Sequence, residues 1–226
     1  MKNLSSFVLT ASLLGSFATQ ATIFNSTGTP LIIPDGNSVG VQNTINVSGL
    51  EPNVSSLSVT LNITGGRNGD LFAYLTRDSA IAILLNRVGR GEVAGGYGGT
   101  GFQILLQDGS PDVHTYQISG FANDGEGRVL GTFGADGRSE SPFSVTTSSP
   151  RTSNPFSVFT GGAANGDWTL FIADVNGNSN EAILDSWSLD ITAVPEPINV
   201  ALGIFGGLFA VVQGVRYWKR KNPSVA

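Results

Sequence analysis

The sequence predicts an all-β fold, a jelly-roll-like antiparallel β-sandwich, with an N-terminal signal helix and a C-terminal transmembrane helix. Three observations support this prediction. Short apolar stretches with period-two alternation recur in the middle of the chain, clusters of Gly, Asn and Asp separate them, and an apolar run lies near each end. Many short strands joined by Gly-rich turns are typical of a sandwich or jelly roll. The predicted division is 1–21 signal peptide, 22–193 sandwich and 194–226 C-terminal segment.

The first 21 residues have the pattern of a secretory signal peptide. Lys2 supplies a short positive region, Phe7 to Ala18 is an apolar stretch of about a dozen residues, and small residues follow around Thr19-Gln20-Ala21. The apolar stretch is short for a membrane span, and its polar positions form no clear face. We therefore expect export through the secretion translocon and removal of this segment.

Alternation defines the predicted strands of the middle segment, because it places one apolar face inward. The apolar positions are Leu57, Val59, Leu61 and Ile63; Trp168, Leu170 and Ile172; Trp187, Leu189 and Ile191; and, more weakly, Val39, Val41, Ile45 and Val47. Turn signals rich in Gly, Asn and Asp occur at 65–70, 95–101, 123–127 and 174–180. The Ser-rich stretch 139–155 is predicted to be an exposed loop.

Charge and cysteine content exclude several function classes. Between Thr22 and Pro195 there are seven basic residues, all Arg, against 16 acidic ones, which gives a formal charge of −9. Such an acidic domain lacks the basic surface that nucleic-acid binding needs. The chain has no Cys, which excludes disulfides, thiolate metal sites and Cys nucleophiles.

Two stretches of the middle segment resemble a known domain. They are "NGDLFAYLTRDSAIAILLNRVG" (68–89) and "NGDWTLFIADVNGNSNEAILDSWSLDI" (165–191). They look like parts of the P domain that follows the catalytic domain of subtilisin-like proprotein convertases. The resemblance spans about 23–192 and implies a jelly-roll sandwich that accompanies a serine endopeptidase without being its catalytic part.

The C-terminal segment predicts a membrane span. Ile198 to Val215 is 18 residues without a charge, and a helix of that length covers roughly 27 Å, close to the thickness of the hydrocarbon core. Tyr217 and Trp218 suit the membrane interface, and positive flanks stay on the cytoplasmic side. We expect the acidic domain to lie outside the membrane and the basic tail inside.

The same segment resembles the PEP-CTERM sorting signal of exported bacterial proteins. The matching residues are Pro195, Glu196 and Pro197, followed by the apolar span and then by Arg216, Lys219, Arg220 and Lys221. The resemblance implies a temporary anchor, cut near the PEP tripeptide by a membrane-embedded exosortase that releases the protein to the cell surface. The five residues 222–226 extend beyond the usual end of such tails.

Catalytic motifs are weak in this sequence. A serine protease needs Ser, His and Asp held together, yet His114 is the single His, is predicted to lie on a strand or at the surface, and has no Gly-rich setting. No Gly-Thr-Ser nucleophile turn is present. We therefore predict a protein that is not an enzyme, with a hydrolase built on paired carboxylates as a minor alternative.

Calcium is the candidate cofactor, because oxygen donors recur at every second position of one turn. These donors are Asp174, Asn176, Asn178 and Asn180, and a second set is Asp108, Asp112 and Asp124. The first set lacks the glycine position and flanking helices of an EF-hand loop. Carboxylates in turns without a metal are the alternative.

Two function classes remain open. The first is a non-catalytic surface or matrix protein, exported, sorted and retained in the envelope or in extracellular polysaccharide. The second is a binding module for carbohydrate or for a separately encoded protease. Exposed aromatic residues along one sheet face would favour carbohydrate, and a contiguous apolar patch would favour a protein partner.

Overall fold

The structure, a computed structural model, describes residues 20–177 and 180–221. Residues 20–194 belong to one compact unit, whose strands form two sheets and confirm the predicted sandwich. The predicted signal peptide lies almost wholly outside the described residues, as do Asn178 and the last five residues of the chain.

Eleven strands and two α-helices occur in the described residues. They are β1 (Gln20–Asn25), β2 (Leu31–Ile33), β3 (Asn37–Val47), β4 (Asn53–Gly65), β5 (Leu71–Arg77), β6 (Ala80–Asn86), β7 (Gly101–Gln107), α1 (Tyr116–Ser119), β8 (Ala122–Asn123), β9 (Val129–Phe133), β10 (Gly166–Asp174), β11 (Ala182–Val194) and α2 (Pro197–Lys221). Short 3₁₀ turns occur in the connections at Asn68–Asp70, Val113–Thr115 and Pro155–Phe159.

The larger sheet of this part of the chain has seven strands in the order β1-β11-β4-β7-β9-β8, with β2 also paired to β11. The smaller sheet has the order β3-β10-β5-β6. All of the described strand pairs are antiparallel except β7 and β9, which run parallel. A sheet that is otherwise antiparallel therefore contains one parallel pair, which the sequence analysis did not predict.

The apolar positions of the predicted strands lie in the core, as the alternation predicts. Trp168 and Trp187 are buried, and each indole N–H donates a hydrogen bond, to the Ala164 carbonyl at 2.9 Å and to Asn43 Oδ1 at 2.7 Å. The apolar positions of β4 face the same interior. The weaker stretch around β3 is less regular, because Val39 is 81% exposed.

The Ser-rich stretch 139–155 is not the fully exposed loop that its composition suggests. Val145 is fully buried, and Ser149 donates from its hydroxyl to Glu140 Oε2 at 2.5 Å. Asn86 donates from its amide to the Glu140 carbonyl at 2.9 Å. Composition predicted exposure correctly for many of its residues, but a local count of Ser and Pro carries no information about such long-range hydrogen bonds.

Arginine side chains tie the long connections to the sheets. Six of the seven Arg in the sandwich donate to backbone carbonyls of residues distant in sequence: Arg67, Arg77, Arg87, Arg90, Arg138 and Arg151. A guanidinium has five N–H donors in a rigid fork, so one side chain can hold several acceptors at once. In a domain without disulfides, these arginines cross-link the loops noncovalently.

Candidate functional site

The PEP tripeptide of the predicted sorting signal directly follows the last strand of the sandwich. Strand β11 ends at Val194, Pro195 and Glu196 are outside any helix or strand, and α2 begins at Pro197. Proline is favoured at the first helical position because its missing N–H would have no partner there. The tripeptide is therefore only partly non-helical, since its second proline already belongs to the helix.

Helix α2 is longer than the predicted span. It continues to Lys221, so Arg216, Lys219, Arg220 and Lys221 all lie on its last turns. At 25 residues its length is about 37 Å. Large apolar side chains along it are strongly exposed, including Leu202 at 64% and Phe209 at 65%.

The helix fits a membrane span by length and composition. Within Ala201–Lys221 the most apolar window has a mean hydropathy of 1.2, and none of it is buried. A helix that is apolar on all sides is stable in lipid or in a protein interior rather than in water. The positive residues at its C-terminus also interact favourably with the helix dipole.

The predicted calcium turn after β10 begins at a buried carboxylate, Asp174, and a second buried carboxylate, Asp70, lies near it in the 3₁₀ turn Asn68–Asp70. Asp174 accepts from the Asn176 backbone N–H at 3.1 Å, and the Asn176 amide donates to Asp70 Oδ1 at 3.0 Å. Burial, followed by the charges of Asp70 and Asp35, raises the pKa of Asp174. Asp70 also pairs with the Arg87 guanidinium at 3.2 Å. The Arg67 guanidinium lies 3.6 Å from the same oxygen, so two cations already offset the negative charge here.

The second predicted donor set is not brought together around one centre. Asp108 accepts from the Phe156 backbone N–H at 3.2 Å, Asp112 pairs with Arg138 at 2.9 Å, and Asp124 pairs with Arg128 at 2.6 Å. Within residues 20–177 and 180–221, no three His, Cys, Asp or Glu side chains are arranged to hold a metal ion. The arginine partners make Asp112 and Asp124 poor ligands for a cation.

Calcium binding at the Asp174 turn can be tested by thermal unfolding. If the turn binds Ca²⁺, about 1 mM of the ion should raise the melting temperature of the full chain, because a ligand of the folded state stabilises it. Asp174→Asn should then remove the effect, whereas Asp167→Asn, on the exposed end of the same strand, should keep it. A melting curve that Ca²⁺ leaves unchanged removes the metal hypothesis.

His114 is fully buried, which corrects the prediction of a strand or surface residue. It lies in the 3₁₀ turn Val113–Thr115. Its Nδ1 is 2.7 Å from Asp136 Oδ2, and its Nε2 is 3.2 Å from the Arg90 carbonyl oxygen. Both ring nitrogens therefore face acceptor oxygens.

The pair of His114 and Asp136 contains two of the residue types of a protease triad, but its histidine is not accessible to a substrate. A catalytic base needs a free Nε2 beside the nucleophile, and here the Arg90 carbonyl occupies that position. Solvent and substrate do not reach the fully buried ring. The arrangement is that of a structural residue.

His114 belongs to a buried ionic cluster, which we define as Asp112, His114, Asp136 and Arg138. Asp136 accepts from Arg138 at 3.2 Å and from the Asn86 backbone N–H at 3.1 Å. Burial lowers the pKa of Arg138, but the charges and hydrogen bonds of Asp112 and Asp136 outweigh burial, so the pKa is raised overall. Asp112 also lies 3.5 Å from Arg151.

This cluster was not predicted from the sequence. A signal was present, because the domain contains seven Arg and no Lys. Arg is favoured over Lys where ion pairs are buried and hydrogen-bonded in a fixed geometry. The composition thus indicated internal ion pairs, although it could not indicate which acids they join.

Comparison with known proteins supports the predicted resemblance in part. Residues 124–191 match the family model of the proprotein convertase P-domain. The match begins directly after β8, runs through most of β11 and so covers the second of the two resembling stretches but not the first. A P domain is a non-catalytic accessory domain, which is consistent with the buried His114. No curated protein matches the chain.

Two solved structures are similar to part of this chain. One is a serine protease of Aeromonas sobria in complex with its chaperone, with 17% identity and a TM-score of 0.43 over 78% of this chain and 27% of that chain. The other is the same species' serine protease, with 16% identity and a TM-score of 0.40 over 77% of this chain and 26% of that one. This chain therefore spans about a quarter of their length.

Proposed function

We propose that this protein is a non-catalytic exported β-sandwich, anchored by α2 and sorted to the cell surface through a PEP-CTERM signal. The observation that supports the proposal is the order of parts at the C-terminus. The last strand ends at Val194, the PEP tripeptide follows, and a helix of membrane-spanning length ends in a basic cluster.

The physical setting of the tripeptide fits a processing site. Pro195 and Glu196 form a non-helical link directly after β11, and Glu196 is exposed. Proline before and after Glu196 disfavours helix at these positions, which keeps the backbone accessible to a membrane protease. An exosortase-type enzyme is the proposed partner, and the membrane is a transient one.

The sorting proposal is tested by changing the tripeptide. In a host with an exosortase, Glu196→Ala should leave the chain uncut and in the membrane fraction, while the unchanged protein should end near residue 197. Mass spectrometry of surface protein measures both. The matched control is Glu181→Ala, an exposed acid just before β11, which should be processed normally.

The outcome that contradicts the sorting proposal is specific. If intact "RYWKRK" peptides come from the main mature pool of the unchanged protein, the segment is a permanent anchor. The membrane topology would then stand, and the sorting role would not.

A second candidate is a binding module for a separately encoded protease. The family match favours it, because P domains accompany subtilisin-like serine endopeptidases. The outer face of the smaller sheet also carries an aromatic group, in which Tyr74 and Phe171 stack with centroids 4.6 Å apart and Phe72 packs edge-on. Rings stacked on one another cover each other's faces, so this group suits a protein partner better than a sugar. Co-purification of a serine protease from intact cells would support it.

A further inference from the structure

A polar cleft lies on the larger sheet of the sandwich and has a volume of about 580 Å³. This volume is within the usual range for small-ligand sites. Its described lining contains six hydroxyl side chains, two amides and two carboxylates, with Leu57 and Phe156 as the large apolar members. The cleft lies wholly within the sandwich and does not involve α2.

The strand register explains why these polar groups converge. Asp190 of β11 is paired with Ser58 of β4, and Ser58 is paired with Gln107 of β7. Their neighbours Val59 and Leu189 are fully buried, so the polar residues face outward. Adjacent strands are about 4.8 Å apart, so the row from Asp190 to Gln107 spans about 10 Å.

The 3₁₀ turn Pro155–Phe159 forms a wall of the cleft and is held in place. Phe156 and Phe159 are each only 3% exposed. The Phe156 backbone N–H donates to Asp108 at 3.2 Å, and the Val54 backbone N–H donates to the Gly162 carbonyl at 2.9 Å. The wall is therefore anchored both at its start and just beyond its end, which makes the cleft a preformed feature.

The electrostatic character of the cleft is negative. Among the described residues that line it there is no Lys, Arg or His, and the charged members are Asp108 and Asp190. Burial raises the pKa of Asp108, while backbone N–H groups and nearby Arg151 act in the opposite direction. Asp190 Oδ1 is shielded from solvent and has no hydrogen-bond partner among the described residues. The cleft therefore presents two carboxylates and no basic side chain to a ligand.

These features select among ligand classes. An anion would be repelled by the two carboxylates, and among the described residues no three His, Cys, Asp or Glu side chains form a group that could hold a metal ion. Hydroxyls and amides both donate and accept hydrogen bonds, as the hydroxyls of a sugar do. The two carboxylates can also accept hydrogen bonds from sugar hydroxyls.

We propose that this cleft binds an uncharged saccharide chain through Asp190, Ser58, Gln107 and Asp108. This binding role goes beyond the proposed sorting function and does not depend on cleavage of the tail. The two proposals can be tested separately, because ligand binding reports on the cleft and cleavage of the tail reports on sorting.

The test is binding of the full chain to arrayed oligosaccharides, both uncharged and acidic. The protein is purified in a detergent without a sugar headgroup, because a maltoside or glucoside would compete. Ser58→Phe places a ring on the outer face in the middle of the row, and it should weaken binding to the retained uncharged glycans by about tenfold or more. Asp190→Asn should also weaken it. Melting curves close to that of the unchanged protein show that both variants fold.

The matched control is Asp167→Asn, which removes the same charge from the exposed face of the other sheet and should bind as the unchanged protein does. Three results would overturn the proposal. They are no glycan retained above background, equal binding by the folded Ser58→Phe variant, and a preference for acidic glycans.

Discussion

Replacement of Asp136 by Ala is expected to lower the free energy of unfolding by about 4 kcal/mol, because it removes the acceptor of buried His114 and one of the two carboxylates that pair with buried Arg138. Asp136 is fully buried and contacts His114 at 2.7 Å and Arg138 at 3.2 Å. For a domain of this size the loss corresponds to a melting temperature lower by roughly 10 °C. Thermal and urea unfolding of the full chain measure the change.

The reason for this large effect is the asymmetry of buried ion pairs. A complete buried cluster contributes little net stability compared with apolar residues of the same volume, whereas removal of one partner leaves the other charges desolvated and unpaired. Arg138 is 4% exposed and cannot turn to water without moving the loop that carries it. His114 would lose the acceptor at Nδ1.

A matched pair of variants separates this cause from general sensitivity to charge removal. Asp124→Ala breaks an ion pair with Arg128 that is partly exposed to solvent and should leave the melting curve near that of the unchanged protein, because solvent-exposed pairs contribute little. Similar losses from Asp124→Ala and Asp136→Ala would contradict the role of the buried cluster. So would a folded Asp136→Ala protein of unchanged stability.

Two arginines in the middle of α2 are expected to remove the protein from the membrane. Leu208→Arg and Phe209→Arg replace apolar side chains near the centre of the proposed span, 58% and 65% exposed. Each Arg costs about 3 kcal/mol at that depth on an insertion scale, so the double variant should no longer insert. In a host without an exosortase, alkaline extraction of membranes should leave the unchanged chain in the pellet and release the variant.

A conservative double variant controls for changes in the helix itself. Leu208→Ile with Phe209→Leu keeps the span apolar, so it should remain in the pellet. Release of the unchanged chain by alkaline extraction would contradict anchoring by α2, because a spanning helix resists it. Retention of the double Arg variant would show that another part of the chain holds it in the membrane.

The parts of the fold that the sequence predicted are those with a local signal. Leu57 to Ile63, Trp168 to Ile172 and Trp187 to Ile191 alternate with period two, and the structure buries their apolar positions in β4, β10 and β11. Glycine in the 95–101 turn was equally informative. At Gly101, where φ is +115°, a Cβ would lie 2.0 Å from the Ile63 carbonyl oxygen, so glycine is required there.

The parts that escaped prediction depend on partners distant in sequence. Asp136 meets His114 from 22 residues away, and Asp112 meets Arg138 from 26. Neither contact can be predicted from hydrophobic periodicity, because both lie in irregular segments whose paths the strand pattern does not define. The cleft is similar, since its floor comes from three strands distant in sequence and its wall comes from the 3₁₀ turn Pro155–Phe159, which directly follows the Ser-rich stretch.

The central place of β11 in the larger sheet determines when this domain can fold. Strand β11 pairs with β1 and β2 on one side and with β4 on the other, and the paired residues Asn62 and Ser186 are 124 positions apart. Contacts over such separations form late, because the entropy of closing the intervening chain is lost before they form. In a chain translocated from its N-terminus, β1 and β4 leave the translocon long before β11. If the chain is exported and anchored as proposed, the sheet stays open until its last strand emerges immediately ahead of α2, and completion of folding coincides with insertion of the helix.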